Sequence, residues 1–151
     1  MSRRFAMLAV PMLVAASVVA TTAQADAAGA IQFRRFQYDS PGSDTGSNTS
    51  LNAEYFQLKN VTTRTFNLYG WTVRDAAGHT YRFSSSFYLR PGYTVTVHTG
   101  RGTNTSYHRY WGSSWYIWNN TGDKAYWKSP AGTLLQTCTW GNGSGSKTCG
   151  Y

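Results

Sequence analysis

The run Asn67-Leu-Tyr-Gly-Trp-Thr-Val-Arg-Asp-Ala-Ala-Gly-His-Thr-Tyr-Arg-Phe83, continued by Leu89-Arg-Pro-Gly-Tyr-Thr-Val-Thr-Val-His98, constrains the fold more than any other part of the chain. Trp71 and Val73 alternate with Thr72 and Arg74, and Tyr81 and Phe83 alternate with Thr80 and Arg82. The turn Asp75-Ala-Ala-Gly78 between them suits a hairpin with glycine in the left-handed region. Pro91-Gly92 then supplies a second turn before Tyr93, Val95 and Val97 alternate with Thr94, Thr96 and His98. Successive side chains of a strand point to opposite faces, so this pattern predicts short half-buried strands and no helix.

The same grammar extends in both directions. Ile31 and Phe33 alternate with Gln32 and Arg34, and the phase slips at Arg34-Arg35 so that Phe36 and Tyr38 continue it, which predicts a β-bulge. Phe56 and Leu58 oppose Tyr55, Gln57 and Lys59, after a long polar loop from Asp39 to Asn52. Residues 123–128 and 133–140 form a last pair across Ser129-Pro-Ala-Gly132. Seven or so short strands at this spacing make a sandwich or a barrel. The fold class read from the residues alone is therefore all-β, an antiparallel sandwich or barrel.

Residues 1–27 read as a cleavable signal peptide. Arg3 and Arg4 precede an apolar stretch from Phe5 to Ala20, and Ala23-Gln-Ala25 or Ala25-Asp-Ala27 fits the small-residue cleavage pattern. The stretch is short for a spanning helix, which needs about 20 residues. Residues 28–151 are then one domain, with no transmembrane segment in the mature chain and a secreted, extracellular location that includes the cell wall. Loss of Arg3 and Arg4 leaves 12 basic against 5 or 6 acidic residues, a net charge of +6 or +7. A basic exported domain favours anionic partners such as wall polymers. The cations are scattered singly apart from Arg34-Arg35, so no dedicated nucleic-acid motif is present.

Cys138 and Cys149 are the two cysteines, and in an exported chain they read as one structural disulfide. Gly143-Ser144 lies midway between them, which predicts a C-terminal hairpin holding the cysteines opposite one another. Closing so short a loop is worth about 2–3 kcal/mol in the chain-entropy account.

Several segments, taken in order, resemble the lamin tail domain. These are Tyr38-Asp-Ser-Pro-Gly-Ser-Asp44, Leu51-Asn-Ala-Glu-Tyr-Phe-Gln-Leu-Lys-Asn60, Leu68-Tyr-Gly-Trp-Thr-Val-Arg-Asp75, Leu89-Arg-Pro-Gly92 and Trp118-Asn-Asn-Thr-Gly-Asp123. The resemblance spans about Ile31 to Trp140. It implies an immunoglobulin-like sandwich that mediates interactions and is not an enzyme, in the form found in secreted bacterial proteins. Within it Gly70, Trp71, Asp75, Pro91 and Gly92 form the structural signature: Trp71 an inward anchor, Pro91 and Gly92 a turn.

Candidate sites are few. Asp39, Asp44, Asn48, Asn52 and Glu54 crowd the first loop with oxygen ligands and make a weak candidate cation site. His79, His98 and His108 show no metal-binding spacing, no G-x-S-x-G elbow occurs, and no cofactor motif is present. The sharpest pattern is aromatic. Tyr107, Trp111, Trp115, Tyr116 and Trp118 lie near Arg109, Lys124 and Lys128, and a strand through 115–118 would carry large rings on both faces. Rings stack on sugars and cations bind anions, so these eight residues are the expected ligand platform. The expected function is non-catalytic binding of an anionic or glycan polymer of the cell surface. The alternatives are a protein–protein adaptor acting through a sheet edge and a small metal-dependent secreted hydrolase built on the Asp39/Asp44/Glu54 loop.

Overall fold

A computed structural model describes residues 29–150. The leader expected at residues 1–27 lies outside the described residues. The described residues form eleven strands and one short helix: β1 (Ile31–Gln37), α1 (Asn48–Ala53), β2 (Tyr55–Asn60), β3 (Phe66–Asn67), β4 (Thr72–Arg74), β5 (Thr80–Arg82), β6 (Tyr88–Leu89), β7 (Thr94–His98), β8 (His108–Tyr110), β9 (Gly122–Lys128), β10 (Leu134–Gly141) and β11 (Ser146–Thr148). A five-stranded sheet runs β11-β1-β2-β7-β8 and a four-stranded sheet runs β10-β9-β4-β5, with β3 and β6 paired separately. All pairings are antiparallel except β7 with β8, which is parallel.

Alternation in the sequence becomes alternation in space. Along β9, Asp123, Ala125 and Trp127 are buried while Lys124, Tyr126 and Lys128 face outward. Phe33, Phe36, Phe56, Leu58, Val95 and Val97 face them from the other sheet and are almost fully buried. Trp71 stacks on Trp127 with ring centroids 5.2 Å apart. Burying a Trp side chain of this size contributes several kcal/mol. The predicted bulge is present, as a register shift between Phe33 and Phe36 against β2. The β4–β5 turn also has its expected form. Asp75 Oδ1 accepts from the amides of Gly78 and His79 at 2.6 and 2.7 Å, and Gly78 sits at φ 106°, where a Cβ would be strained.

Three features depart from the sequence reading. The 39–52 loop ends in the single-turn helix α1, capped by Ser47, whose side chain accepts from the Ser50 amide. One buried residue, Leu51, is too little to leave a helical period. Tyr93 is exposed rather than in phase with Val95 and Val97, because it still belongs to the Pro91-Gly92 turn, its amide bonded to the Arg90 carbonyl. The C-terminal hairpin is the third correction. Cys138 and Cys149 are bonded, with Cα atoms 5.6 Å apart, but β10 and β11 do not pair with one another. After Gly141 the chain crosses from one sheet to the other, and β11 adds to β1 with Phe36 opposite Lys147. The disulfide therefore staples the two sheets together.

Candidate functional site

The expected aromatic platform divides into four places. The 115–118 segment is not a strand but part of an irregular connection between β8 and β9. Its rings therefore need not alternate, and they do not. Trp118 is core, 2% exposed, with its ring centroid 4.9 Å from Phe36 and 5.7 Å from Trp140. Trp111 is half-buried against Phe56, Tyr81 and Trp118. Arg109, the middle residue of β8, points inward, with its guanidinium 4.4 Å from the centre of the Phe87 ring. These three side chains hold the sandwich and offer little to a ligand.

Trp115 and Tyr116 occupy a second place, over the α1 loop. Trp115 is 62% exposed, yet its ring lies so close to Gly46 that a Cβ there would meet it at 2.6 Å. The Tyr116 hydroxyl bonds Ser50 Oγ at 2.5 Å and accepts from the Gly46 amide. Glu54 fixes this connection from below. It is fully buried, and its Oε1 accepts from the Thr99 hydroxyl at 2.6 Å and the Ile117 amide at 2.8 Å. Burial pushes the Glu54 carboxyl up from 4.5 to about 7, against the pull of those hydrogen bonds.

Glu54 is thereby removed from the candidate cation loop, which does not assemble. Asp39 and Asp44 share the amide of Asn120 at 2.9 and 3.2 Å. Asn48 and Asn52 instead donate to the Arg101 carbonyl. Among the described residues no group of three or more His, Cys, Asp or Glu side chains could hold a metal ion.

Lys124 and Lys128 are in the third place, the outer face of the four-stranded sheet. Their ammonium groups lie 5.2 and 6.0 Å from the centre of the Tyr126 ring between them. Register brings two further cations alongside. Arg74 is opposite Tyr126, and Thr72 links Lys128 on one side to Arg82 on the other. Among the described residues the one acidic side chain bordering this face is Asp75, which lines a recess with Arg74, Tyr126 and Lys128 but is itself buried. Asp75, just past β4, and Asp123, in β9, are both buried and accept from backbone amides, and Asp75 Oδ2 also contacts His79 Nδ1 at 2.6 Å. Asp39, Asp44 and Glu54 are the other acids of the described residues, and all three are engaged on the α1 side. Arg74, Arg82 and Tyr126 were missed in the sequence because only strand pairing brings them to the two lysines.

Tyr107 stands apart from all of these, beside Tyr93, with ring centroids 5.6 Å apart and planes at 17°. Nearby on the outer face of the five-stranded sheet, His98 Nδ1 contacts the Asn52 carbonyl at 2.7 Å, so that nitrogen carries the proton. His98 Nε2 is then the acceptor for His108 Nδ1 at 3.0 Å. No helix among the described residues is long and apolar enough to cross a membrane.

The model of the lamin tail domain matches residues 24–142, which takes in β1 to β10 and stops short of β11 and Cys149. No curated protein matches the chain. The lamin tail domain is a non-catalytic, interaction-type β-sandwich, which is the architecture built here from two facing sheets. The chain belongs to the lamin tail domain family.

Proposed function

We propose that the mature chain is a secreted, non-catalytic module that binds an anionic polymer of the cell exterior through the outer face of its four-stranded sheet. One observation carries this reading: Lys124, Lys128, Arg74 and Arg82 surround Tyr126 while every described carboxylate is buried or engaged elsewhere. Cations spaced along a flat sheet match a repeating anion, and the tyrosine gives a flat surface between them. Rigid strands position the charges, so little ordering is lost on binding. The basic, apolar leader and the disulfide both support an extracellular setting.

The test is binding of the purified disulfide-intact domain to linear polyphosphate at low and high salt. A Lys124→Ala/Lys128→Ala double variant should bind about tenfold more weakly at 50 mM salt, and the difference should vanish near 1 M. Equal binding by the double variant at low salt would overturn the assignment of this face. Trp115→Ala should leave the affinity unchanged, since that ring lies on the α1 side.

A further inference from the structure

We propose that the corner where β6, the Pro91-Gly92 turn and the approach to β8 meet is a separate binding site for a pyranose ring bearing a carboxylate. Tyr88, Tyr93 and Tyr107 are 63%, 41% and 48% exposed there, in a fold that places most of its other large rings in the core. They line one cleft with Leu89, Arg90 and Ser106. Nothing in this cleft is left to chance by the backbone. The Tyr93 amide bonds the Arg90 carbonyl, the Tyr107 carbonyl accepts from the Thr96 amide at 2.8 Å, and the Tyr107 amide bonds Thr105 Oγ1. The Tyr93 and Tyr107 rings lie nearly parallel, with planes at 17°.

The chemistry of the cleft selects its occupant. A flat ring with its hydroxyl at the rim stacks on the C–H face of a sugar while offering hydrogen bonds to the sugar's own hydroxyls. Ser106 adds a hydroxyl. Arg90 is the one charged residue lining the cleft, and no carboxylate faces it there. A guanidinium fork accepts a carboxylate through two parallel hydrogen bonds, so the complementary ligand is an acidic sugar rather than a neutral one. A proline-rich peptide also stacks on tyrosines, but it brings no anion to Arg90. The site uses none of the four cations of the basic face and stands independently of that reading.

The experiment titrates the whole mature domain with a trimer of galacturonic acid in 0.3 M salt, which screens the open basic face. The probe is followed by calorimetry and by the ring resonances of Tyr93 and Tyr107. Saturable binding that shifts those resonances is expected, weakened about tenfold by Arg90→Ala and by Tyr107→Ala. Tyr107→Phe keeps the stacking surface and should retain most of the affinity. Lys124→Ala/Lys128→Ala should leave it unchanged, even if polyphosphate binding proves absent. The proposal is overturned by an absence of saturable binding, by equal binding of a neutral galactose trimer, by unchanged affinity in Tyr107→Ala, or by binding of a proline-rich peptide in place of the sugar.

Discussion

The sandwich has two long side seams, and they are closed by different chemistry. On one side β10 and β11 are the edge strands, joined by the Cys138–Cys149 bond. Gln136 reinforces that seam, accepting from the Phe33 amide at 2.7 Å and donating to the Cys149 carbonyl. On the other side β5 and β8 are the edges, and no covalent bond spans them. Arg109 lies over Phe87, Tyr81 packs on Trp111 and Phe83, and the buried Glu54 ties down the connection that follows. One seam is held by a bond that a reductant can cut, the other by packing and, behind it, a buried carboxyl. A sandwich needs both edges shut, and the solution used at each edge decides which change in surroundings opens it.

The contrast can be broken at either seam. Trp111→Ala should be the most damaging change, removing a ring shared by Phe56, Tyr81 and Trp118 and costing about 3–4 kcal/mol in urea unfolding. Next comes the pH response of Glu54. Its carboxyl titrates at about 7 in the folded chain against 4.5 ordinarily, so the folded state holds a proton that the unfolded state releases. Its stabilising contribution is therefore full below pH 4.5 and lost as pH rises through 7, on the order of 3 kcal/mol in all. Glu54→Gln should flatten the stability curve over that window.

His98 works in the opposite sense. Burial lowers its pKa, opposed by its hydrogen bond to the Asn52 carbonyl and helped by a smaller lowering from His108, so its contribution falls away at acid pH. Comparing the slopes of the parent and Glu54→Gln isolates the carboxylate.

Opening the other seam by a Cys138→Ser/Cys149→Ser double change should cost about 2–3 kcal/mol, independent of pH between 5 and 7. A cost much larger than this would mean that the bond holds the sheets in the folded state as well as restraining the unfolded chain. Smallest is Arg109→Ala, expected at about 1 kcal/mol from lost contact with Phe87, with Arg109→Met recovering most of it. If Arg109→Met is as unstable as Arg109→Ala, charge rather than packing closes that edge.

Strand identity was legible where period two survives, as in β2, β7 and β9, and the bulge at Arg34-Arg35 left its own mark as a slip of phase. The pairing of the cysteines was legible too, from count and compartment. Which sheet receives β11 was not, because a covalent link says nothing about the hydrogen-bond partner of the next strand. Which of the 107–118 rings face solvent was not legible for a related reason. Whether Trp115 or Trp118 is exposed depends on Glu54 capturing the Ile117 amide from 63 positions away, and no local pattern carries that. The basic face required β4, β5 and β9 to be laid side by side before Arg74, Arg82 and the two lysines became neighbours. Lys124 and Lys128 could be named from the chain, but their companions could not.

The inter-sheet disulfide also bears on resistance to proteolysis. Asn142, Gly143 and Ser144 form an exposed tip between the two cysteines, the kind of site where cleavage concentrates. A cut there separates β10 from β11 in sequence, yet Cys149 stays bonded to Cys138 and β11 stays paired to β1. The nicked molecule keeps all its strands and gains only the mass of one water. It comes apart only when a reductant follows the protease.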